Sequence, residues 1–422
     1  MLREWGVQKG QRLVMVYFFY YIPIGIDAEL RRIPVTTYLY AGFCVFVFAV
    51  QRYGAGVLPF EFDRLAYFPD IGSIVTAVTA TFLHLGYFHL IGNLLYLVLF
   101  GRYVEDRFGG ALFSAVFLGC GALGNVLQGW FNTVVLHDPY VGIIGASGAV
   151  SGMLGAFTVR FLTNKIRVAY WVFMPLQAYT RAGNAEIPAI FALASWFLLQ
   201  FVQGLLQAGG FGPDVAYVAH ISGFVLGALA AIVSGQWRDG RIEALSRRAA
   251  DYVRNGEAYA AQGDYLEYLR QRPDDVDARA GLARAMAMTG DRTGARENYR
   301  RACERLMAAK RRGEAEALYQ EAVRGIEDFA LGADDQLSMA FGLERDLKPK
   351  LAVHAYEMFV AKYPAHPDSP LALLRAAGIH MNVFSDPGSA EALYGRFLAN
   401  FPGDTWADFA KEQRRKLACE LG

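Results

Sequence analysis

The sequence predicts an all-α protein in two parts: a polytopic six-span membrane helical bundle followed by a soluble α-helical repeat domain. Three observations carry this prediction. The 422-residue chain is 54% hydrophobic and 14% aromatic with a formal net charge of only +1, too apolar for an ordinary soluble protein of its length. Charged residues are sparse from Val35 to Gly235 and dense from Arg238 onward. Beyond Arg238, Ala, Arg, Glu and Leu recur at helical spacing, with Gly-Asp and Pro-Asp pairs punctuating helix ends. The parts are an N-terminal cytoplasmic or interfacial segment (1–33), a membrane domain (34–237) and a cytoplasmic repeat domain (238–422).

In chain order, Val14 to Ile26 is aromatic-rich, too short to span and without a small-residue cleavage site, which suits a segment lying in the membrane interface. Six apolar runs of about twenty residues follow, centred near Phe46, Leu97, Leu118, Leu154, Leu198 and Leu226. Lys and Arg near span ends stay on the cytoplasmic side. Arg31 and Arg32 precede the first run, Arg102 and Arg107 follow the second, and Arg160, Lys165 and Arg167 follow the fourth. Arg238, Arg241, Arg247 and Arg248 follow the sixth, so all fall on one side. The connections Asn132 to Ile144 and Ala208 to Ala216 carry neither Lys nor Arg, as outer loops should. In the first outer loop Arg52 and Arg64 are offset by Glu61, Asp63 and Asp70, which leaves both termini cytoplasmic.

The chemistry points to Gly142-Ile-Ile-Gly145-Ala-Ser147-Gly148-Ala-Val-Ser-Gly152. Small neighbours let another backbone approach Ser147 and let its amide face a ligand oxygen. Gly148 and Gly152 also form a small-residue ridge of the kind membrane helices use for packing, so the motif alone is open between packing and catalysis. A soluble hydrolase elbow is disfavoured, because Ala149 stands where glycine is required. The topology decides. Spans two, four and six all enter from the outer face, bringing His89 with Asn93, Ser147 and His220 to similar depth. Polar groups inside spans are costly and mark function, and a serine with a histidine is the minimum set for nucleophilic catalysis. The neutral imidazole is the form that accepts the serine proton. Asp138 and Asp214 could in principle add a carboxylate, but both read as exposed loop acids.

Metal and cofactor chemistry find no support. His84 and His89 lack a third ligand at suitable spacing, and Cys44, Cys120, Cys303 and Cys419 stand too far apart for a disulfide framework or a ligand set. The balanced charge argues against a nucleic-acid partner.

From about Val75 to Gly235 these residues resemble the rhomboid family of intramembrane serine proteases. The pattern Gly-x-Ser-Gly is met by Gly145 to Gly148. Ala-His-x-x-Gly-x-x-x-Gly is met by Ala219, His220, Gly223 and Gly227, and the second-span pattern by His84, His89 and Asn93, followed by Glu105 and Gly109. The resemblance implies Ser147 as nucleophile and His220 as its base, with no carboxylate holding the histidine. It implies an oxyanion hole from His89, Asn93 and the Ser147 amide, close packing of span six on span four through Gly223 and Gly227, and loop-ordering roles for His84, Glu105 and Arg107. The reaction implied is cleavage of single-span membrane proteins near the outer face, in a bacterial inner membrane. A non-catalytic rhomboid-like protein that holds client helices is the alternative; such a relative would be expected to lose the serine or the histidine, and both are present. A transporter would need polar residues tracing a path across. Two positions depart from the family pattern: Ser151 replaces an aromatic residue often placed under the histidine ring, and Val75-Thr76 replaces a Trp-Arg pair.

In the tail, Leu282, Ala283, Met286, Gly290, Ala295, Tyr299 and Ala302 resemble the tetratricopeptide repeat. Copies of Ala-x-x-x-Tyr-x-x-(Ala/Phe) recur at Ala315-Tyr319-Ala322, Ala352-Tyr356-Phe359 and Ala390-Tyr394-Phe397. Stacked helix pairs offer concave surfaces to a protein partner; a self-packed domain that caps or self-associates is the equal alternative.

Overall fold

The computed structural model describes residues 18–54, 62–174, 179–210 and 215–421. The chain divides into two compact units, Met1–Arg241 and Ile242–Gly422. In the first, α1 (Val35–Tyr53) is followed by the short α2 (Ile74–Thr79) and by α3 (Tyr87–Tyr96), which runs through one wide turn at Leu97–Gly101 into α4 (Arg102–Phe108). Then come α5 (Gly110–Val134), α6 (Ser147–Arg160), α7 (Ala189–Ala208), α8 (Tyr217–Val233) and α9 (Gln236–Asn255), within which the two units divide.

A helical segment stands at each of the six apolar runs. Four of them, α1, the joined α3 and α4, α5, and α7, are long and apolar enough to cross a membrane, and α8 makes a fifth only when taken together with α9. The sixth, α6, has 14 residues, about 21 Å at 1.5 Å per residue against a hydrocarbon core of about 30 Å. Its whole run from Gly148 to Phe157 is buried. A helix enclosed by other helices needs neither the length nor the hydropathy that lipid demands.

α6 packs chiefly on α8 and α5, and glycine sets the spacing. A Cβ on Gly227 would overlap the Gly152 carbonyl oxygen, one on Gly155 the Phe224 carbonyl oxygen, and one on Gly223 the Gly148 carbonyl oxygen. Such backbone contact is the usual glue between membrane helices, where lipid removes the hydrophobic drive. Below these glycines Phe100, Phe113, Phe117 and Phe157 fill the bundle, each with at most 1% of its surface exposed.

The all-α prediction needs correction. Strands β1 (Phe18–Ile26), β2 (Lys165–Met174) and β3 (Tyr179–Pro188) form an antiparallel sheet in the order β1-β2-β3. Lys165-Ile166-Arg167-Val168 alternates charge and β-branched residues with the two-residue period of a strand, and Ile166 and Val168 point into the core beside Ile26. Phe18 to Ile26 is therefore paired in a sheet rather than lying alone in an interface; Val14 to Tyr17 lie outside the described residues. Asp27 closes the β1 end: its Oδ1 accepts the Lys165 amide at 2.7 Å and Asn164 Nδ2 at 2.8 Å.

Acidic residues at the end of α4 fasten the approach to α1. Glu105 accepts the amides of Thr36 (2.8 Å) and Thr37 (2.6 Å) and the Thr37 hydroxyl, capping α1, while Asp106 accepts the amides of Arg31 and Arg32. Arg107 pairs with Asp106 and donates to the Glu29 carbonyl. The expected loop-ordering role of Glu105 and Arg107 has this geometry behind it.

The second unit is helical from Ala258–Gln271 to Ala407–Leu421, and successive helices pack on one another except at the step from Arg312–Gly325 to Ala333–Arg345. Asp275 and Asp291 accept amides of Ala278 and Gly294, capping the helices that follow the Pro-Asp and Gly-Asp signals. The recurring alanine, tyrosine and phenylalanine positions all face the core, Ala295, Tyr319, Tyr356 and Phe397 among them. The tyrosine hydroxyls reach polar groups nearby: Tyr299 to Glu321 at 2.7 Å, Tyr319 to Gln336 at 2.8 Å and Tyr356 to Glu344 at 2.6 Å.

Candidate active site

Ser147 is the first residue of α6, so its amide is among those left without an intrahelical acceptor. The loop before it is pinned on two sides. Tyr67 and Ile143 exchange backbone hydrogen bonds of 3.1 and 2.8 Å, and the Gly145 amide donates to the Ala80 carbonyl at 2.9 Å. Gly145 has φ +129°, which a side chain would make strained, and a Cβ there would stand 2.8 Å from His89 Nε2 and 3.7 Å from Ser147 Oγ. The imidazole of His89 and the Ser147 hydroxyl thus flank the same bare glycine.

His89 lies in the first turn of α3 and Asn93 one turn on, on the same face. The Leu85 amide points at His89 Nδ1 at 3.5 Å, which makes Nδ1 the acceptor and leaves the proton on Nε2. Asn93 is buried, and its Nδ2 has no hydrogen-bond partner among the described residues. Both residues therefore offer a donor.

His220 lies in the first turn of α8, and that turn is held from α5: Gln128 Oε1 accepts the amides of Val218 (3.0 Å) and Ala219 (3.2 Å). From α7, Gln200 Oε1 stands 2.7 Å from His220 Nδ1, and the Trp196 ring lies 6.5 Å away, tilted by 31°. Among the described residues the Ser147 hydroxyl and His220 are not hydrogen-bonded to one another. They face one cavity of about 700 Å³, lined also by His89, Asn93, Ser151 and Gln200.

The remaining predicted residues sit around this cavity. Gly148, Gly223 and Gly227 are at the α6–α8 contact described above, so the small-residue ridge packs helices and carries Ser147 at once. His84 is buried, its ring edge-on to His89 at 5.2 Å and its Nδ1 3.2 Å from the Phe82 carbonyl. No group of His, Cys, Asp and Glu among the described residues could hold a metal. Ser151, in place of the aromatic residue, bonds back to the Ser147 carbonyl at 2.7 Å. Thr76 closes a capping box with Ser73 at the start of α2, so a cap on α2 stands where the Trp-Arg pair was expected. Asp138 lines the cavity and is exposed; Glu61 and Asp214 lie outside the described residues.

Sequence reasoning missed Gln128, Gln200 and Trp196. A signal was present: a glutamine inside an apolar run is as costly as other buried amides and asks for a partner.

Comparison with known proteins finds a domain within the first unit. Residues 72–237 match the rhomboid domain. RHOMBOID-like protein 1 of Arabidopsis thaliana is 30% identical over 155 residues, 37% of this chain and 33% of that protein. The putative rhomboid protease YdcA of Bacillus subtilis (strain 168) is 29% identical over 162 residues, 36% of this chain and 73% of that protein. The human presenilin-associated rhomboid-like protein, mitochondrial, is 30% identical over 144 residues, 33% of this chain and 36% of that protein. The chain thus spans about a third of the length of two of these relatives. A solved thermophilic TPR protein from Thermus thermophilus shares 18% identity over 43% of this chain and 98% of its own, at a TM-score of 0.17 that is too low to define an arrangement. Its motifs, its helical segments and these relatives thus agree on a rhomboid domain at residues 72–237 of this chain, with rhomboid-like proteins as its relatives.

Proposed function

We propose that this chain is a serine endopeptidase that cuts membrane-spanning helices of single-span proteins with Ser147 and His220. The observation that carries the reading is convergence: α3, α6 and α8 present His89 and Asn93, Ser147, and His220 to one cavity. In the reaction His220 Nε2 takes the Ser147 Oγ proton as Oγ bonds to the scissile carbonyl carbon. The negative charge gathers on the carbonyl oxygen, where Asn93 Nδ2, His89 Nε2–H and the Ser147 amide donate, assisted by the positive end of α6. Collapse breaks the C–N bond, and His220 returns the proton to the leaving amine. Water, deprotonated by the same imidazole, then frees the acyl group. A helical substrate has its carbonyls engaged, so a stretch weakened by Gly or Pro must unwind first.

The same reading makes the protein multi-pass, with six crossings, α6 included, and both termini cytoplasmic. Support comes from the bundle itself: Arg31 and Arg32 meet Asp106, Arg107 stacks on Phe161, and Arg160 bonds Gln236, all at the ends of α4, α6 and α8 remote from the serine. The repeat domain acts by binding, either a protein partner or a second copy.

The test uses the full chain in detergent with a fluorophosphonate probe and a single-span reporter. Labelling and cleavage are expected in the wild type and absent in Ser147→Ala and His220→Ala, which should melt as the wild type does. The double variant should be little worse than either single one. Labelling that persists in Ser147→Ala would sink the reading.

A further inference from the structure

We infer that Gln200 is a positioning residue for His220, fixing through its side-chain oxygen the tautomer and direction of the imidazole that faces Ser147. The inference rests on the proposed role of His220 as base. Gln200 comes from α7, where its sequence neighbours Leu198, Leu199, Phe201 and Val202 are apolar and exposed. An unpaired amide in such surroundings is costly, and this one is paired: Oε1 stands 2.7 Å from His220 Nδ1. An amide oxygen only accepts, so Nδ1 must carry the proton, and the lone pair is left on Nε2, the nitrogen that has to receive the Ser147 proton. Trp196, one turn earlier on the same face of α7, lies beside the ring and limits its rotation. Both residues line the cavity that Ser147 faces.

The choice of amide over carboxylate has a physical reason. A carboxylate would hold the imidazolium more strongly, but it would itself need a countercharge, and among the described residues no Lys or Arg lines this cavity. A neutral acceptor sets the tautomer without that cost. The role differs from the missing aromatic residue at Ser151, which would restrain the ring without choosing its proton.

The test compares Gln200→Met, of similar volume but without the acceptor, and Gln200→Glu, which keeps an acceptor and adds charge. Probe-labelling rate, reporter kcat and KM, and pH profiles are measured on the full chain. Gln200→Met is expected to lower kcat and labelling about 100-fold, with KM nearly unchanged. Gln200→Glu should recover most of the rate at high pH, with the acid limb of its profile moved up by about 1 unit, because a carboxylate favours the charged ring that cannot accept a proton. The other titratable groups beside His220 or on the cavity, His89, Tyr96, Tyr217 and Asp138, are unaltered in both variants, so the displacement is assignable. Wild-type rates in both variants, or equal slowing with an unmoved profile, would overturn the inference while leaving the protease reading intact. A wild-type protein that the probe fails to label at Ser147 would overturn both.

Discussion

Gly145 and Asn93 show how single residues divide the work of the site. At Gly145 the positive φ and the nearness of His89 act together, so Gly145→Ala should strain the backbone by about 1–3 kcal/mol and push the imidazole aside. The expected outcome is a lower melting temperature together with lost probe labelling. Asn93→Ala removes a donor that is unpaired in the resting protein, so little stability should be lost with it. Turnover should instead fall about 100-fold, with KM nearly unchanged, as for other oxyanion donors. A raised KM with unchanged kcat would reassign Asn93 to substrate binding. Gln128→Leu leaves two amides of α8 unpaired and should cost about 1–3 kcal/mol in thermal unfolding.

Among the elements, the α6–α8 pair is the least tolerant. Gly227→Ala drives a methyl into the Gly152 carbonyl and should cost about 1–3 kcal/mol by overpacking. Gly119→Ala on α5 meets open space and should be neutral or slightly stabilising through helix propensity, which makes it the matched control in the same melting experiment. The places of these helices were legible because hydropathy reports apolar runs directly. Their lengths were not: α6 is rich in Gly and Ala, and hydropathy does not distinguish burial in protein from burial in lipid. The sheet escaped because its alternating stretch, Lys165 to Val168, is four residues long and its charges were already explained as cytoplasmic anchors. Of the residues proposed for the site, Ser147, His220, His89 and Asn93 were legible through their motifs and the resemblance these carry, whereas Gln200 was not, since the sequence does not say which side chain an isolated amide meets.

For the whole molecule, the two compact units predict two separable behaviours. A chain ending after Gly240 should still label with the probe, and the fragment Ile242–Gly422 should fold cooperatively by itself; a truncated protein that folds but no longer labels would show coupling. Acid should weaken the fragment in a defined direction. Burial works to raise the Glu321 carboxyl, but hydrogen bonds from Arg284 and Tyr299 outweigh it and hold the group below its ordinary value. Its contribution is complete above the ordinary carboxylate range and lost as pH falls through the depressed value, so the unfolding midpoint should drop below about pH 4.5, and less steeply in Glu321→Gln. A further consequence follows from the sheet that joins β1 to β2. Asp27 and Lys165 are 138 residues apart, so the first strand waits for its partner while four helical segments are made. Sheet closure is then a late event in biogenesis. A chain stalled before Lys165, or one whose Asp27 clamp is loosened, displays a bare strand edge to which neighbouring nascent chains can add.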